Sequence, residues 1–405
     1  MSKLLEVQDL VLRFYTYAGV VKALEGVNLY LKKEETLGIV GETGCGKTMT
    51  GLSILSLVPP PGKIEGGKVM FQNGDKNMEL LSQKDATLMD IRGKDISIIF
   101  QEPGAALNPV YTVGDQIAEV LLLHRKRELC KRVLAQIEKE ELEEKERKRK
   151  KIEKEIKDEE TRKRELEKLE RQKRENWKRG MEKKIYRTML KNPNAISLKF
   201  FKRIPIIGRY RRLKRETRKE VVKILRELEI ADPERAVHMY PHELSGGMQQ
   251  RIVIGIALAC NPTVLIADEP TTSLDMTVQA QILDLIRRLK EKSGSSIIYI
   301  THDMGVVAEL CDRVAVMYAG SVCEVAEVKE LFKNPMHPYT KALLESIPRP
   351  GQAFKSISGT VPGLIDPPPG CRFHPRCPFA MAECIEAMPK MNEVKKEHFV
   401  ACYLY

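Results

Sequence analysis

The sequence predicts an α/β fold that carries a long, charged helical insertion and a small cysteine-rich C-terminal extension. Short apolar runs alternate with helical patterns between Gly and Pro residues over 1–124 and 220–325, as in an α/β core. Residues 125–219 hold 37 Lys and Arg against 18 Asp and Glu, which favours an exposed helical segment. Four of the nine cysteines fall within the last 35 residues.

A chain of 405 residues is long enough for two or three structural units. We divide it into a first core segment at 1–124, an insertion at 125–219, a second core segment at 220–325 and an extension at 326–405. The best candidate for a membrane span, Ile252–Cys260, has nine residues, and a span needs about 20. The first residues lack the basic start and apolar stretch of a signal peptide, so we expect a cytosolic protein.

The insertion is dominated by Lys, Arg and Glu up to about residue 190, with opposite charges three or four positions apart. This pattern favours a long exposed helix, folded as a hairpin or projecting as an arm. Pro193 should end it, because Pro lacks an amide donor, and helical periodicity returns at 220–225. The insertion is either a solvated charged helix or, through the basic and aromatic stretch Lys199–Arg215, a surface for anionic headgroups.

A glycine-rich segment fits the pattern G-x-x-x-x-G-K-[ST] and lies between an apolar run and a helical stretch. Its residues are Gly41, Glu42, Thr43, Gly44, Cys45, Gly46, Lys47 and Thr48. Glycines let backbone amides surround a phosphate, Lys47 supplies a cation, and the Thr48 hydroxyl can bind Mg²⁺. A glycine-rich turn arising by chance is the alternative.

A second group of polar residues follows the apolar run 263–267, which ends in Asp268 and Glu269. Two acids at the end of a buried strand suit a Mg²⁺ ligand, Asp268, and a base that polarises an attacking water, Glu269. An ordinary surface strand end would also place acids there.

A third motif opens the apolar helix that begins near residue 246. Its residues are Leu244, Ser245, Gly246, Gly247, Met248 and Gln249. A serine and glycines at a helix start form a second anion site, because free amides and the helix dipole both favour phosphate. An ordinary serine N-cap is the alternative.

Taken in order, six motifs resemble those of ABC ATPases. They are GETGCGKT, Gln101 after an apolar strand, LSGGMQQR, VLIADE, Ser273-Leu274-Asp275 and His302. The resemblance implies a P-loop ABC ATPase core with a helical signature subdomain, which binds ATP and Mg²⁺. It also implies a head-to-tail dimer, in which the LSGGM segment of one subunit covers the ATP bound to the P-loop of the other.

The same resemblance assigns roles to single residues. It places His302 at the γ-phosphate, gives Gln101 contact with Mg²⁺ and with the membrane partner, and assigns Ser273, Leu274 and Asp275 to the D-loop. Phe14 stands where the family has an aromatic against adenine, although a core phenylalanine fits that position equally.

The sequence between the motifs is similar to that of oligopeptide and dipeptide importer ATPases. The similarity lies chiefly at 100–109, 240–244, 271–279 and 337–343. The resemblance implies peripheral attachment to the cytoplasmic face of the cell membrane. The implied partners are two permease subunits, a second and often non-identical ATPase, and, indirectly, an extracellular solute-binding protein. Nickel importers share much of this sequence, so nickel or another solute is an alternative to peptides as the transported molecule.

The terminal cysteines Cys371, Cys377, Cys384 and Cys402 also occur in that family's C-terminal extension. Four thiolates can hold a [4Fe–4S] cluster or a tetrahedral Zn²⁺, and some relatives carry iron–sulfur there. The spacing lacks the C-x2-C pair common in zinc sites, which favours the cluster. Free reduced thiols are the remaining alternative.

Chromosome-organising and break-repair ATPases are a rival class, because they share the nucleotide motifs and place a coiled coil between Gln101 and the signature. A basic patch in the insertion would then follow DNA phosphates. However, the insertion holds a single cysteine, Cys130, and so has no C-x-x-C hook. Because the C-terminal sequence is similar to that of importers, we do not expect nucleic acid as a partner.

Overall fold

The computed structural model describes residues 3–74, 76–155, 158–171, 177–192, 211–272, 274–347 and 357–405. Ser273 and most of the basic stretch 199–215 therefore lie outside the described residues. The chain forms two compact units. One unit comprises 1–108 and 244–405, and the other comprises 109–243. The division at 124, 219 and 325 stays a prediction.

The strands of the described residues all belong to the first unit. They are β1 Lys3–Thr16, β2 Gly19–Lys32, β3 Thr36–Val40, β4 Gly62–Asn73, β5 Lys76–Glu79, β6 Ile96–Ile99, β7 Val264–Asp268, β8 Ser296–Thr301, β9 Arg313–Tyr318, β10 Ser321–Glu327, β11 Asn392–Lys395 and β12 His398–Val400.

Helices occur in both units. They are α1 Lys47–Ile54, α2 Asp85–Ile91, α3 Pro103–Ala106, α4 Val113–His124, α5 Lys126–Glu155, α6 Glu159–Arg171, α7 Trp177–Lys191, α8 Arg211–Glu227, α9 Pro233–Ala236, α10 Gly246–Leu258, α11 Met276–Ser293, α12 Met304–Leu310, α13 Val328–Lys333, α14 Pro338–Glu345 and α15 Glu383–Glu386. Short 3-10 turns cover Pro241–Glu243 and His374–Arg376.

The main sheet of the first unit has eight strands in the order β11-β12-β10-β9-β3-β8-β7-β6. From β9 to β6 the neighbouring strands are parallel, with Ile39 opposite Ile300 and Ala267 opposite Tyr299. β3, β7 and β8 are buried along their whole length, which explains their continuous apolar sequences. Because these strands run the same way, their carboxyl ends meet at one edge of the sheet.

A second sheet in this unit is antiparallel, in the order β2-β1-β4-β5. Leu10, Leu12, Leu24 and Val27 are fully buried on its two longest strands, and they belong to one apolar cluster with Ile39 of the main sheet. The prediction of an α/β core is therefore confirmed, with an antiparallel sheet added to the parallel one.

The insertion folds into helices of the second unit. α5 buries Leu129, Cys130, Val133, Leu134 and Ile137, which recur on one face of a helix. α7 returns along α5, because its basic side chains pair with acids earlier in α5 in reverse order: Arg179 with Glu144, Lys183 with Glu141 and Arg187 with Glu138. The hairpin expected from the charge pattern thus forms within 126–191. α8 starts at Arg211, nine residues before the periodicity noted at 220.

The extension joins the main sheet directly. β12 pairs with β10 in antiparallel register, with Phe399 opposite Val325, and β11 pairs with β12. Glu324 of β10, fully buried, accepts hydrogen bonds from the amides of Met336 and His337 and lies 2.7 Å from His398 Nε2. No helix among the described residues is long and apolar enough to cross a membrane.

Candidate functional site

Loops that follow four parallel strands gather at one edge of the main sheet. The glycine-rich loop follows β3, Gln101 follows β6, Glu269 follows β7 and His302 follows β8. Parallel α/β sheets bind ligands outside the carboxyl ends of their strands. The strand order therefore brings together residues that are more than 250 positions apart in the sequence.

The glycine-rich loop has a backbone that side chains would obstruct. Gly44 and Gly46 have φ angles of 81° and 102°, which L-residues rarely adopt. A Cβ on Gly41 would lie 2.1 Å from the carbonyl oxygen of Met317. Lys47 is 6 % exposed, and its Nζ donates to the carbonyl oxygens of Gly41 and Glu42 at 2.8 and 3.2 Å. The lysine thus folds back across the mouth of the loop.

Asp268 and Thr48, which the sequence predicts as Mg²⁺ ligands, contact each other. The Thr48 Oγ1 donates to Asp268 Oδ1 at 3.1 Å. Asp268 is 3 % exposed, and burial raises its pKa to about 6, with a smaller contribution from the charge of Glu269 and opposed by the Thr48 hydrogen bond and by Lys47. A buried carboxylate with a raised pKa gains from a nearby cation. These two groups can therefore hold Mg²⁺, whereas Gln101 contacts the neighbouring Glu269.

Glu269 lies at the centre of the site and contacts three polar side chains. Gln101 Nε2 donates to Glu269 Oε2 at 3.2 Å, and Thr272 Oγ1 donates to the same oxygen at 2.9 Å. His302 Nδ1 is 3.1 Å from Glu269 Oε1. Glu269 has a φ of 45°, which is uncommon for a non-glycine residue and frequent at functional sites. Thr272 was not singled out from the sequence, because a threonine after an apolar strand carries no distinctive signal.

The signature segment forms the start of α10 in the same unit. Ser245 is the N-cap, and its Oγ accepts from the Met248 amide at 3.4 Å. Gly246 has open space where a side chain would be, whereas a Cβ on Gly247 would lie 2.9 Å from Val278. Leu244 is buried, and its carbonyl accepts from the Gln249 side chain. The segment is thus an ordinary serine N-cap, which was the alternative, and its role as an anion site stays a prediction.

The D-loop is described in part. Leu274 donates its amide to the Thr271 carbonyl at 3.4 Å, and Asp275 caps α11 by accepting from the amides of Thr277 and Val278. Ser273 lies outside the described residues. These contacts give Asp275 a structural role, and its assignment to the D-loop stays a prediction.

Phe14 lies on β1 of the antiparallel sheet. It is opposite Val21 and Gly62, and it is partly buried against the apolar cluster of the core. These contacts suit a core phenylalanine, and its role against adenine stays a prediction.

The C-terminal extension reaches the glycine-rich loop, which the motifs did not indicate. Arg376 makes a two-pronged ion pair with Glu42, through Nη1 to Oε2 at 2.8 Å and Nη2 to Oε1 at 3.3 Å. The Glu42 amide donates to the hydroxyl of Tyr339 at 3.0 Å. The position of Arg376 directly before Cys377 gives no indication of this contact in the sequence, because 334 residues separate the paired side chains.

The four C-terminal cysteines line one cavity of about 10 Å³, roughly the space of one water molecule. Burial raises the pKa of Cys371 to about 11 and also raises those of Cys377 and Cys402. In the described part of the chain, no group of three or more His, Cys, Asp or Glu side chains could hold a metal ion. The prediction of a metal centre at Cys371, Cys377, Cys384 and Cys402 is therefore not supported by this geometry, because the thiols surround a cavity that is too small and are not spaced as ligands of one ion.

Two family models match the chain. The ABC transporter model matches residues 24–272, and the model for the C-terminal region of oligopeptide/dipeptide transporters matches residues 323–384. The first covers most of the site described above. The second covers Tyr339, Arg376 and three of the four C-terminal cysteines.

Similar proteins match over the whole chain. The dipeptide transport ATP-binding protein DppD of Bacillus subtilis is 40% identical over 408 residues, covering 100% of this chain and 95% of the relative. The oligopeptide transport ATP-binding protein OppD of the same organism is 39% identical and covers 100% of this chain and 89% of the relative.

Solved structures share the fold. The dimeric ATP-binding cassette MJ0796, in a post-hydrolysis state with ADP and Pi, has a TM-score of 0.52 at 22% identity and covers 80% of this chain and 98% of its own. cbiO1 from Clostridium perfringens has a TM-score of 0.51 at 22% identity, covering 82% and 92%. With the family model matched from residue 24 to 272 and relatives aligned from end to end, this chain belongs to the ABC transporter family, among its ATP-binding proteins.

Proposed function

We propose that this chain is the ATP-hydrolysing subunit of a transporter that imports peptides. The observation that carries the catalytic part is the contact of Glu269 with both Gln101 and His302, beside the loop that holds Lys47. Carboxylate, amide and imidazole then surround the place where a water would meet a terminal phosphate. The peptide part is supported by the matched C-terminal region and by the relatives that are described as dipeptide and oligopeptide transport proteins.

Each residue has a separate task in this proposal. The amides of the glycine-rich loop and Lys47 bind the β- and γ-phosphates of ATP. Thr48, Asp268 and Gln101 hold Mg²⁺, which offsets the charge that develops on the phosphates. Glu269 orients and polarises the attacking water, and His302, on the far oxygen of Glu269, keeps that carboxylate aligned and contacts the γ-phosphate.

Replacement of Glu269 by Gln tests the assignment of the base. Because Gln keeps the shape and loses the proton acceptor, we expect ATP turnover to fall at least about 100-fold while ATP binding is retained. Lys47→Ala should instead weaken ATP binding itself. Turnover is measured by phosphate release from the purified transporter, and binding by a fluorescent ATP analogue. Undiminished turnover in Glu269→Gln would reject the assignment.

Peptide import is tested in cells that lack the gene for this chain. Wild-type protein should restore growth on a dipeptide or oligopeptide as the required amino-acid source, and Glu269→Gln should not. Restored nickel uptake without restored peptide uptake would favour the alternative solute. The matched C-terminal region is that of oligopeptide/dipeptide transporters, which argues for peptides and against a role in DNA repair.

We also propose that the chain acts on the cytoplasmic face of the membrane with two permease subunits and a second, non-identical ATPase. The signature residues Ser245–Gln249 would then cover the ATP of that second subunit, and the second subunit's signature would cover this one's. Affinity purification from membranes should recover two multispanning proteins and one further ATP-binding protein. Recovery of this chain as a homodimer with permeases would reject the non-identical ATPase partner and leave the rest of the proposal intact.

A [4Fe–4S] cluster at Cys371, Cys377, Cys384 and Cys402 remains our proposal for the cofactor, with zinc as the alternative. Its support is the number of thiols, because four thiolates are the usual ligand set of such clusters, and not the spacing of the thiols in the structure. The cluster is larger than the cavity described, so its binding requires the thiols to move apart. Anaerobically purified protein should contain about four iron and four sulfide per chain. Stoichiometric zinc, or neither metal, would reject the cluster.

A further inference from the structure

Glu42 poses an electrostatic problem within the proposed ATP site. It is the first variable residue of the glycine-rich loop, next to Gly41, and its carbonyl oxygen accepts from Lys47. A carboxylate in a loop that surrounds a triphosphate repels the phosphates and attracts the lysine that should bind them. The chain therefore needs a group that neutralises Glu42 and holds it away from Lys47.

Arg376 of the extension supplies that group. Its guanidinium grips both carboxylate oxygens of Glu42 at 2.8 and 3.3 Å. The arginine side chain is 5 % exposed and that of Glu42 is 26 % exposed, so water screens this pair less than it screens a surface pair. The two-pronged geometry is the strongest form of carboxylate binding available to a protein side chain.

The position of Arg376 is fixed by further contacts. Its Nη1 also donates to the Tyr318 hydroxyl at 3.1 Å, and its Nε donates to the Ser358 carbonyl at 2.8 Å. The guanidinium lies 5.7 Å from the ring centre of Tyr318 and 5.9 Å from that of Phe373. Because these contacts fix the guanidinium of Arg376, the ion pair restricts the movement of Glu42 and of the glycine-rich loop.

A second contact from the extension acts on the same point of the loop. The Tyr339 hydroxyl accepts from the Glu42 amide, and the Tyr339 ring packs 4.6 Å from the ring of Tyr318, centre to centre. Both ends of Glu42, its amide and its carboxylate, are thus bound by residues of 326–405. Tyr339 is fully buried, so this anchor is rigid.

We infer that Arg376 is a positioning residue of the ATP site, which neutralises Glu42 and fixes the glycine-rich loop for phosphate binding. The extension would then serve nucleotide binding as well as any cofactor it carries. This inference rests on the proposed function, because it takes the loop to be the ATP site. It assigns Arg376 an effect on ATP affinity through Glu42 and none on the water-activating step at Glu269.

The test measures the affinity of the purified full-length chain for a fluorescent ATP analogue, with the wild type and three variants in a double-mutant cycle. Arg376→Gln should weaken binding about tenfold, the size expected when a charge-assisted contact is lost. In the Glu42→Gln background, the same substitution should change the affinity by less than about threefold, because its partner is already neutral. An equal effect in both backgrounds, or none in either, would overturn the inference.

Three further variants keep the test decisive. Lys395→Gln breaks the exposed ion pair with Glu330 elsewhere in the extension and should leave ATP affinity unchanged, so an equal loss there would reject a specific role for Arg376. If Arg376→Gln does not fold, Arg376→Lys keeps a cation and should bind about threefold more weakly, and wild-type affinity in it would count against the inference. Lys47→Ala distinguishes a failure of the proposed ATP site from a failure of the role of Arg376, because normal binding in that variant would reject the ATP site itself.

Discussion

Gly41 shows how little room the phosphate-binding loop has at the level of single atoms. A Cβ at this position would lie 2.1 Å from the Met317 carbonyl oxygen and 2.7 Å from Cys45 Sγ. Neither neighbour can move easily, because Met317 is part of β9 in the main sheet and Cys45 is fully buried. The loop can therefore approach β9 only because Gly41 has no side chain.

We predict that Gly41→Ala lowers the free energy of unfolding by about 2 kcal/mol or more, as overpacking against fixed backbone does. ATP affinity should fall as well, because the loop must shift to relieve the contact. Urea denaturation followed by circular dichroism measures the first effect, and binding of a fluorescent ATP analogue the second.

The control for this prediction is Gly294→Ala at the C-terminal end of α11. Gly294 has a φ of 65° but open space around its would-be Cβ, so this variant carries backbone strain without a steric clash. We expect it to lose about 1 kcal/mol and to bind ATP normally. An equal loss of affinity in both variants would show that the clash at Met317 is not responsible.

Most residues of the site could be predicted from the sequence, because they belong to short local motifs. Lys47, Thr48, Asp268 and Glu269 belong to short motifs at strand ends, and the structure brings them together with Gln101 and His302. Arg376 could not be predicted, because its importance comes from a partner 334 residues away. The functional roles of all these residues remain predictions that the proposed variants test.

At the scale of elements, one acid of the second unit connects two helices and the residue that precedes one of them. Glu220 of α8 pairs with Arg132 of α5 at 2.6 Å and with Arg125, just before α5, at 3.2 Å. The Glu220 side chain is 8 % exposed. Burial alone would raise its pKa, but the hydrogen bond and charge of Arg132 and the charge of Arg125 hold the pKa below its usual value.

We predict that Glu220→Gln destabilises the protein by about 2 kcal/mol at pH 7, because Arg125 and Arg132 lose their buried partner and keep the more exposed Glu128. Since the folded pKa of Glu220 lies below the unfolded value, its stabilisation is present above about pH 4.5 and is lost as the pH falls through the folded pKa. The difference between variant and wild type in urea denaturation should therefore shrink as the pH is lowered from 7 to 3.

Glu153→Gln provides the matched comparison. Glu153 pairs with Arg149 along the exposed face of α5 at 3.0 Å, and both side chains are about half exposed or more. Such pairs contribute less than about 0.5 kcal/mol. A loss at pH 7 as large as that of Glu220→Gln, or a Glu220→Gln effect that does not depend on pH, would contradict the argument.

The helices of the insertion were predictable in kind but not in detail. Opposite charges three and four positions apart indicated helix, and the end of α7 at Lys191 agrees with the stop expected at Pro193. The hairpin packing was harder to foresee, because the buried apolar side chains of α5 lie only near its start, from Leu129 to Ile137. Beyond that stretch the two helices are joined by ion pairs, which charge patterns alone do not orient.

At the scale of the whole molecule, the predicted catalytic residues all lie in the unit formed by 1–108 and 244–405. In the distal part of the insertion, none of the residues 146–155 and 158–166 is buried, so these residues contribute nothing to the core. That part is therefore expected to be dispensable for the folding of either unit.

We predict that replacing residues 146–176 by a short glycine-rich linker leaves ATP turnover within about twofold and the melting curve unchanged, because removing exposed surface residues usually alters stability little. Phosphate release and circular dichroism measure the two quantities. The same variant retains Lys199–Arg215, so its binding to anionic liposomes should persist if that basic stretch is the membrane-facing element. Loss of ATP turnover would give the distal helices a role that their exposure does not suggest.

The overall architecture could be predicted only through the resemblance of its motifs. Alternation of strands and helices indicated an α/β core, but the four-stranded antiparallel sheet and the joining of β12 to β10 left no local signal. Pairing between distant segments depends on the whole fold. Short patterns therefore predict which elements form better than they predict which elements become neighbours.

The pairing of β12 with β10 has a consequence for biosynthesis. Lys32, at the end of β2, also forms an ion pair of 2.6 Å with Glu397, beside β12, across 365 positions of sequence. At translation rates of roughly 5 to 20 residues per second, the ribosome needs about 20 to 70 seconds to pass from one partner to the other. The flank of β10 itself is open for a shorter time, because about 70 residues separate the end of β10 from the start of β12, which is roughly 4 to 14 seconds at these rates. During that time it offers unpaired amides and carbonyls to any neighbouring nascent chain, so chaperones that shield strand edges should matter most between the synthesis of β10 and that of β12.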